Sequence, residues 1–161
     1  MTTLADANQR WHRVLETSYQ SFLESLTALE FDLARQQWAL FKRCLSNHIE
    51  FEQINIEPLA NAWESNTLKL IQSDHLILNR LLPRLDTALE LIAQTDSARA
   101  ELVRQLDGFI KMRNVLEHHD LREMEYLYPL LDEQLERIQV QKLAHSMDRA
   151  REALSASADS E

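Results

Sequence analysis

One glycine and three prolines in 161 residues leave little from which to build hairpins or glycine loops. That scarcity argues for an all-α chain, and the abundance of Leu, Ala, Glu, Gln and Arg, all good helix formers, agrees with it. A single cysteine, Cys44, excludes an internal disulfide framework and fits a reducing compartment. Basic residues are outnumbered by acidic ones, 17 to 26, and the formal net charge of −9 argues against nucleic acid and anionic membranes as partners. No stretch approaches the ~18 uncharged apolar residues of a membrane span. The start of the chain also lacks the apolar core of a signal peptide. A cytoplasmic location is the expectation.

What is present is helical periodicity. Leu15, Tyr19, Phe22, Leu26 and Leu29 predict a first helix over about 5–29. Asp32 is the expected N-cap of a second helix over about 32–56, with Leu33, Leu40, Phe41, Cys44, Leu45 and Phe51 as its buried stripe and Pro58 ending or bending it. A polar connection, 61–66, carries Trp63 as an apolar anchor. A third helix is predicted over about 67–93, kinked at Pro83, and a fourth from Asp96 or Ser97 as cap to about Tyr128, where Pro129 stops it. Gly108 within the fourth suggests close packing on a neighbour. A fifth helix over about 130–154 and a fraying tail from Ser155 to Glu161 complete a single domain over 1–161. Short connections between long helices predict antiparallel neighbours, an up-down-up-down four-helix bundle over about 5–128 with a C-terminal helix added.

The chemistry lies in the histidines. Of six, His48 and His119 open the same pattern: His48-Ile-Glu-Phe-Glu52 precedes Pro58-Leu59, and His119-Asp-Leu-Arg-Glu123 precedes Pro129-Leu130. This is an internal repeat of His-x3-Glu-x5-Pro-Leu. Residues i and i+4 lie one above the other on a helix face, so each imidazole and carboxylate can reach one ion or two adjacent ones. Mixed nitrogen and oxygen donors suit Fe, Mn or Zn rather than Ca or Mg.

The levels of the histidines along the bundle also agree. His12 lies about 18 residues before the first turn and His48 about 17 after it. His75 lies about 20 before the third helix's turn and His119 about 23 after it. Alternating helices bring all four to the same end. Four imidazoles and two carboxylates make two metal ions the natural count.

In these residues the chain resembles the hemerythrin-like (HHE cation-binding) domains. The resemblance is carried by His12 with Leu15, His48 to Glu52, Asp74-His75 with Leu78, and His118-His119 through Glu123 to Leu127-Tyr128-Pro129, spanning roughly residues 8–135. It implies a non-haem di-iron centre bridged by Glu52 and Glu123, with His12, His48, His75 and His119 as terminal ligands and a solvent-derived oxo or hydroxo bridge. It implies dioxygen or another small diatomic as ligand, and a role in oxygen, redox or nitric oxide sensing, oxygen binding or iron handling, with catalysis the lesser expectation. One departure stands out. Oxygen-carrying members have a second histidine one turn after that of the third helix, where this chain has Asn79. Tyr19 or Glu16, on the face of His12, could supply the substitute.

Other histidines read differently. His118 points about 100° from His119 and has Arg122 rather than a carboxylate four residues on, and His145 reads as solvated. Cys44, one turn before His48, reads as a small core residue, with a redox-sensitive thiol as the sharper alternative. Tyr126 reads as packing. Rival functions are a di-iron peroxidase or iron-donating repair protein, a Zn or Mn site on the same donors, and a helical interaction module with coincidental histidines. The fifth helix and Trp63 leave a homodimer open.

Overall fold

The structure is a computed structural model that describes residues 2–62 and 65–158. Trp63 lies outside the described residues. Helices account for nearly all of them, and no strand occurs among them. No helix is long and apolar enough to cross a membrane.

Helix α1, Leu4–Thr27, starts at a capping box: the Thr3 hydroxyl accepts from the Asp6 amide and the Asp6 carboxylate accepts from the Thr3 amide. The first two helical amides, of Leu4 and Ala5, donate to the Asp132 carboxylate at 2.8 and 3.1 Å, so a distant acid finishes the cap. The helix ends without glycine. Leu29 takes φ 61°, the Glu30 amide donates to the Ser25 carbonyl and the Leu29 amide to that of Leu26. These are the two bonds of a Schellman turn, with leucine where glycine is usual. Helix α2, Phe31–Asn55, follows at once. The expected Asp32 cap is not formed: Glu30 occupies the cap position without a side-chain bond, and Asp32 faces solvent beside Arg35. The turn has already satisfied the geometry that a cap would set. Leu33 is likewise exposed, because the buried stripe runs through Ala34, Trp38, Phe41, Leu45, His48 and Glu52.

Helix α2 ends three residues before Pro58, which sits in the first turn of the four-residue α3, Glu57–Ala60. Helix α4, Ser65–Gln94, runs unbroken through Pro83. Helix α5, Ala98–Arg122, starts at Ser97, which makes no side-chain cap bond. A Cβ on Gly108 would meet Leu85 Cδ2 at 3.1 Å, so the glycine does permit close approach to α4.

Pro129 does not stop this helix. The chain passes from α5 into a π-helical segment, Glu123–Leu127, and on into α6, Tyr128–Gln134. A wider turn relieves the clash between a proline ring and the carbonyl four residues back. The chain then extends at Leu135, and the last helix, α7, begins at Arg137 rather than near 130. It continues to Ala158, past the point where fraying was expected.

Helices α1 and α2 form one hairpin and α4 and α5 a second. Helix α7 lies against α1 and α2, tied by Arg10 to Asp148 through bonds of 2.9 and 2.6 Å. Arg35 clasps Glu90 at 2.8 and 2.9 Å, and Trp38 and Lys42 share Asp86, joining α2 to α4. Near the α1–α2 turn the core is aromatic, with ring centroids 4.8 Å apart for Tyr19–Phe41 and 4.9 Å for Phe22–Trp38. Phe109 closes it from α5, 5.7 Å from Phe22.

Candidate metal centre

Toward the other end of the same helices the interior also takes in polar groups. His12 from α1, His48 and Glu52 from α2, His75 from α4, His119 from α5 and Glu123 from the π segment are all buried. The structure thus brings all six expected residues together. The i, i+4 spacing puts His48 Nε2 3.5 Å from Glu52 and His119 Nε2 3.0 Å from Glu123. Contacts across helices complete the cluster: His12 Nε2 lies 2.9 Å from Glu123 and 3.0 Å from His48 Nε2, and His75 Nε2 lies 3.1 Å from Glu52.

These donors form two overlapping quartets. One is His12, His48, His119 and Glu123; the other is Glu52, His75, His119 and Glu123. In each, the four ligand atoms lie within 4.8 Å of one another. A buried His/Glu cluster of this kind could hold a metal ion. Its bonding state agrees with that role. His119 Nε2 and Glu123 Oε1 are close, yet neither has a hydrogen-bond partner. Among the described residues no lysine or arginine pairs with Glu52 or Glu123, so two fully buried carboxylates have imidazoles, amides and a phenol around them but no fixed cation. Burying such charge without a counter-charge costs several kcal/mol on the order of magnitude seen in proteins.

The electrostatics follow. Burial pulls the His12 and His75 pKa values down, but bonds and charge from Glu123 and Glu52 respectively outweigh it and leave both above the ordinary imidazole range. For His48 burial wins, and its pKa falls. Burial acts on Glu123 in the opposite direction and is overcome by His119, His12 and His48, which hold its carboxyl well below the usual range.

No family model matches the chain, and neither curated proteins nor solved structures yield a match. The likeness to hemerythrin-like domains therefore rests on the residues and their spacing alone.

Several supporting residues were not anticipated. His12 Nδ1 lies 3.0 Å from Asp120 and His75 Nδ1 3.3 Å from Glu57, so each of these imidazoles has a carboxylate near the ring nitrogen opposite its cluster contact. The Asn8 amide donates to Glu123 at 3.1 Å, and the Tyr128 hydroxyl donates to Glu52 Oε1. Trp11 covers His48 with its ring 5.2 Å away. The π segment explains Tyr128. In an α-helix the fifth residue after Glu123 would lie about 140° around the axis. Here the Tyr128 amide bonds to the Glu123 carbonyl, and both side chains are buried. A signal existed. Glu57 and Tyr128 occupy the same place in the repeat, five residues after its glutamate and directly before its proline. At both, the break in α-helical register turns that position inward.

Other expectations are corrected. Asn79 faces solvent, and the buried position of that turn is Leu78. Neither proposed substitute faces the cluster. The Tyr19 hydroxyl donates to the Phe109 carbonyl at 2.8 Å, and Glu16 is exposed. Burial raises the Tyr19 pKa, so the phenol stays a donor. Tyr126 is exposed, not packed. His118 and His145 are exposed, as read from the sequence. Cys44 is buried and its thiol pKa is raised by burial, which suits a core residue and not a reactive thiolate.

Proposed function

We propose that the chain is an up-down-up-down four-helix bundle whose six-residue cluster holds two non-haem metal ions, an iron pair, and offers them to dioxygen or another small diatomic. One observation carries the reading: two His/Glu quartets that share His119 and Glu123, enclosing two buried carboxylates with no fixed cation. Glu123 meets donors of both quartets, which suits a bridging carboxylate, and Glu52 touches both His48 and His75. The metal would supply Lewis acidity and one-electron redox chemistry. The chain's part is to set acidic groups, Asp120 and Glu57, beside two of the imidazoles, hold Glu52 through Tyr128, and keep water away with Trp11.

A second reading has its own support. His12, His48, His119 and Glu123 alone are a complete four-donor set of the kind that holds a single zinc ion. Anaerobic Fe(II) titration of apo-protein, followed by air, separates the two. The iron reading expects two irons per chain and new near-ultraviolet and visible charge-transfer absorption, both lost in His119→Ala. One tight zinc per chain with no second site would overturn it in favour of the single-ion reading. No stoichiometric metal of any kind would leave only the fold.

A further inference from the structure

Five of the six cluster residues are at most 1 % exposed, and His12 alone reaches 8 %. That small window opens on a cavity of about 920 Å³ between α1 and α5. The two helices stand apart there, and two hydrogen bonds, Tyr19 to the Phe109 carbonyl and Arg113 to Gln20, cross the gap beside the His12–Asp120 contact. Elsewhere among the described residues α7 lies over α1 and α2, α6 packs on α1, and Trp11 and Tyr128 are fully buried.

We propose that the α1–α5 groove is the route by which a hydrated divalent cation reaches the buried cluster, with Asp120 as the last carboxylate before His12. The inference rests on the metal-binding reading above and adds the path. The rim carries Glu16, Glu24 and Glu117 against one cation, Arg113, which is engaged with Gln20. An acidic rim alone would be an ordinary solvated surface; here it borders a cavity that ends on a cluster of buried metal-grade donors.

Asp120 links the two. Its side chain is 44 % exposed, yet its Oδ1 is buried, without a hydrogen-bond partner, and 3.0 Å from His12 Nδ1. A hydrated cation sheds water most easily when protein oxygens replace it stepwise. The rim carboxylates and then Asp120 lead such a cation to the edge of the His12 ring, whose Nε2 lies 2.9 Å from Glu123. A wall of one sign also concentrates the cation and speeds its capture.

The test is stopped-flow uptake of Co(II) by full-length apo-protein, read by its visible absorption, with release to a chelator measured separately. Glu16→Gln with Glu117→Gln should slow uptake about threefold or more at low ionic strength. The difference should vanish near 1 M salt, where the Debye length is about 3 Å. Thr17→Trp, an exposed position that lines the groove, should slow uptake and release by a common factor with stoichiometry and affinity unchanged. Matching circular dichroism and melting curves establish that the variants fold. Wild-type rates in both variants, with normal metal binding, would overturn the route and leave the site standing. Failure of the wild-type protein to bind Co(II) would overturn the site and the route with it.

Discussion

The two ends of the helix bundle differ in what they bury beside their apolar side chains. Near the α1–α2 turn, Tyr19, Phe22, Trp38, Phe41 and Phe109 fill the interior, and the one buried phenol finds a backbone carbonyl. Toward the other end, four imidazoles and two carboxylates occupy the same depth and leave several ring nitrogens and a carboxylate oxygen without partners. The aromatic end is complete as it stands, because its stability comes from buried apolar area and close packing. The polar end is satisfied only in part by its own side chains. The same helices therefore carry an apolar core along their length and, toward one end, a polar cluster set into it.

The largest effect tests that difference. Phe22→Ala should cost about 3–5 kcal/mol of folding stability through lost burial and a cavity. Metal stoichiometry should stay the same, because the substitution lies away from the donors. Denaturant melts with metal analysis of the folded variant check both. A parallel loss of metal would mean that the two ends are not independent.

Next comes metal itself. Loading should stabilise the wild-type protein by about 4 kcal/mol at free metal a thousandfold above Kd. Glu123→Ala should abolish this gain, since both quartets use that residue. The gain should also depend on pH. Without metal, the raised pKa values of His12 and His75 give stability that is present below about pH 6.5 and lost as pH rises through their folded values. The lowered values of His48 and Glu123 act the other way. Their contributions are present above about 6.5 and 4.3 respectively and are lost as pH falls through the folded values. Metal needs deprotonated imidazoles, so the metal-dependent gain should grow from pH 6 to 8. Thermal melts with and without metal across that range measure it, and a flat profile would count against imidazole ligation.

Much of this was legible in the sequence. Sparse glycine and regular apolar spacing gave the helices, and the His-x3-Glu repeat with matched levels gave the six clustered residues. The errors fall where local register departs from a regular α-helix. Leu29 adopts φ 61° in a position glycine usually fills, so the turn carried no composition signal and Asp32 was mistaken for a cap. Pro129 was read as a stop because a proline normally ends a helix, whereas a π turn admits it and lets the chain run on. Partners from far along the chain were hidden altogether: Asp132 capping α1, and Asn8 on Glu123, depend on tertiary placement that no local pattern encodes.

The smallest effect sharpens the comparison by using the same chemical change at both ends. Tyr19 and Tyr128 are both buried, and each hydroxyl makes one bond, to a neutral carbonyl in the first case and to the Glu52 carboxylate in the second. Burial first, then the charges of Glu52 and Glu123, keep the Tyr128 pKa well above the usual phenol range, so it remains a proton donor. Removing a hydroxyl and keeping the ring preserves the packing. Tyr128→Phe should therefore lower metal affinity by about 10–100-fold, the usual cost of losing a group that orients a ligand. Tyr19→Phe should cost about 1 kcal/mol of stability and leave metal affinity and the absorption spectrum unchanged. Equal losses of affinity in the two variants would show a general loosening of the bundle, and an unchanged affinity in Tyr128→Phe would remove Glu52 orientation from the account of the site.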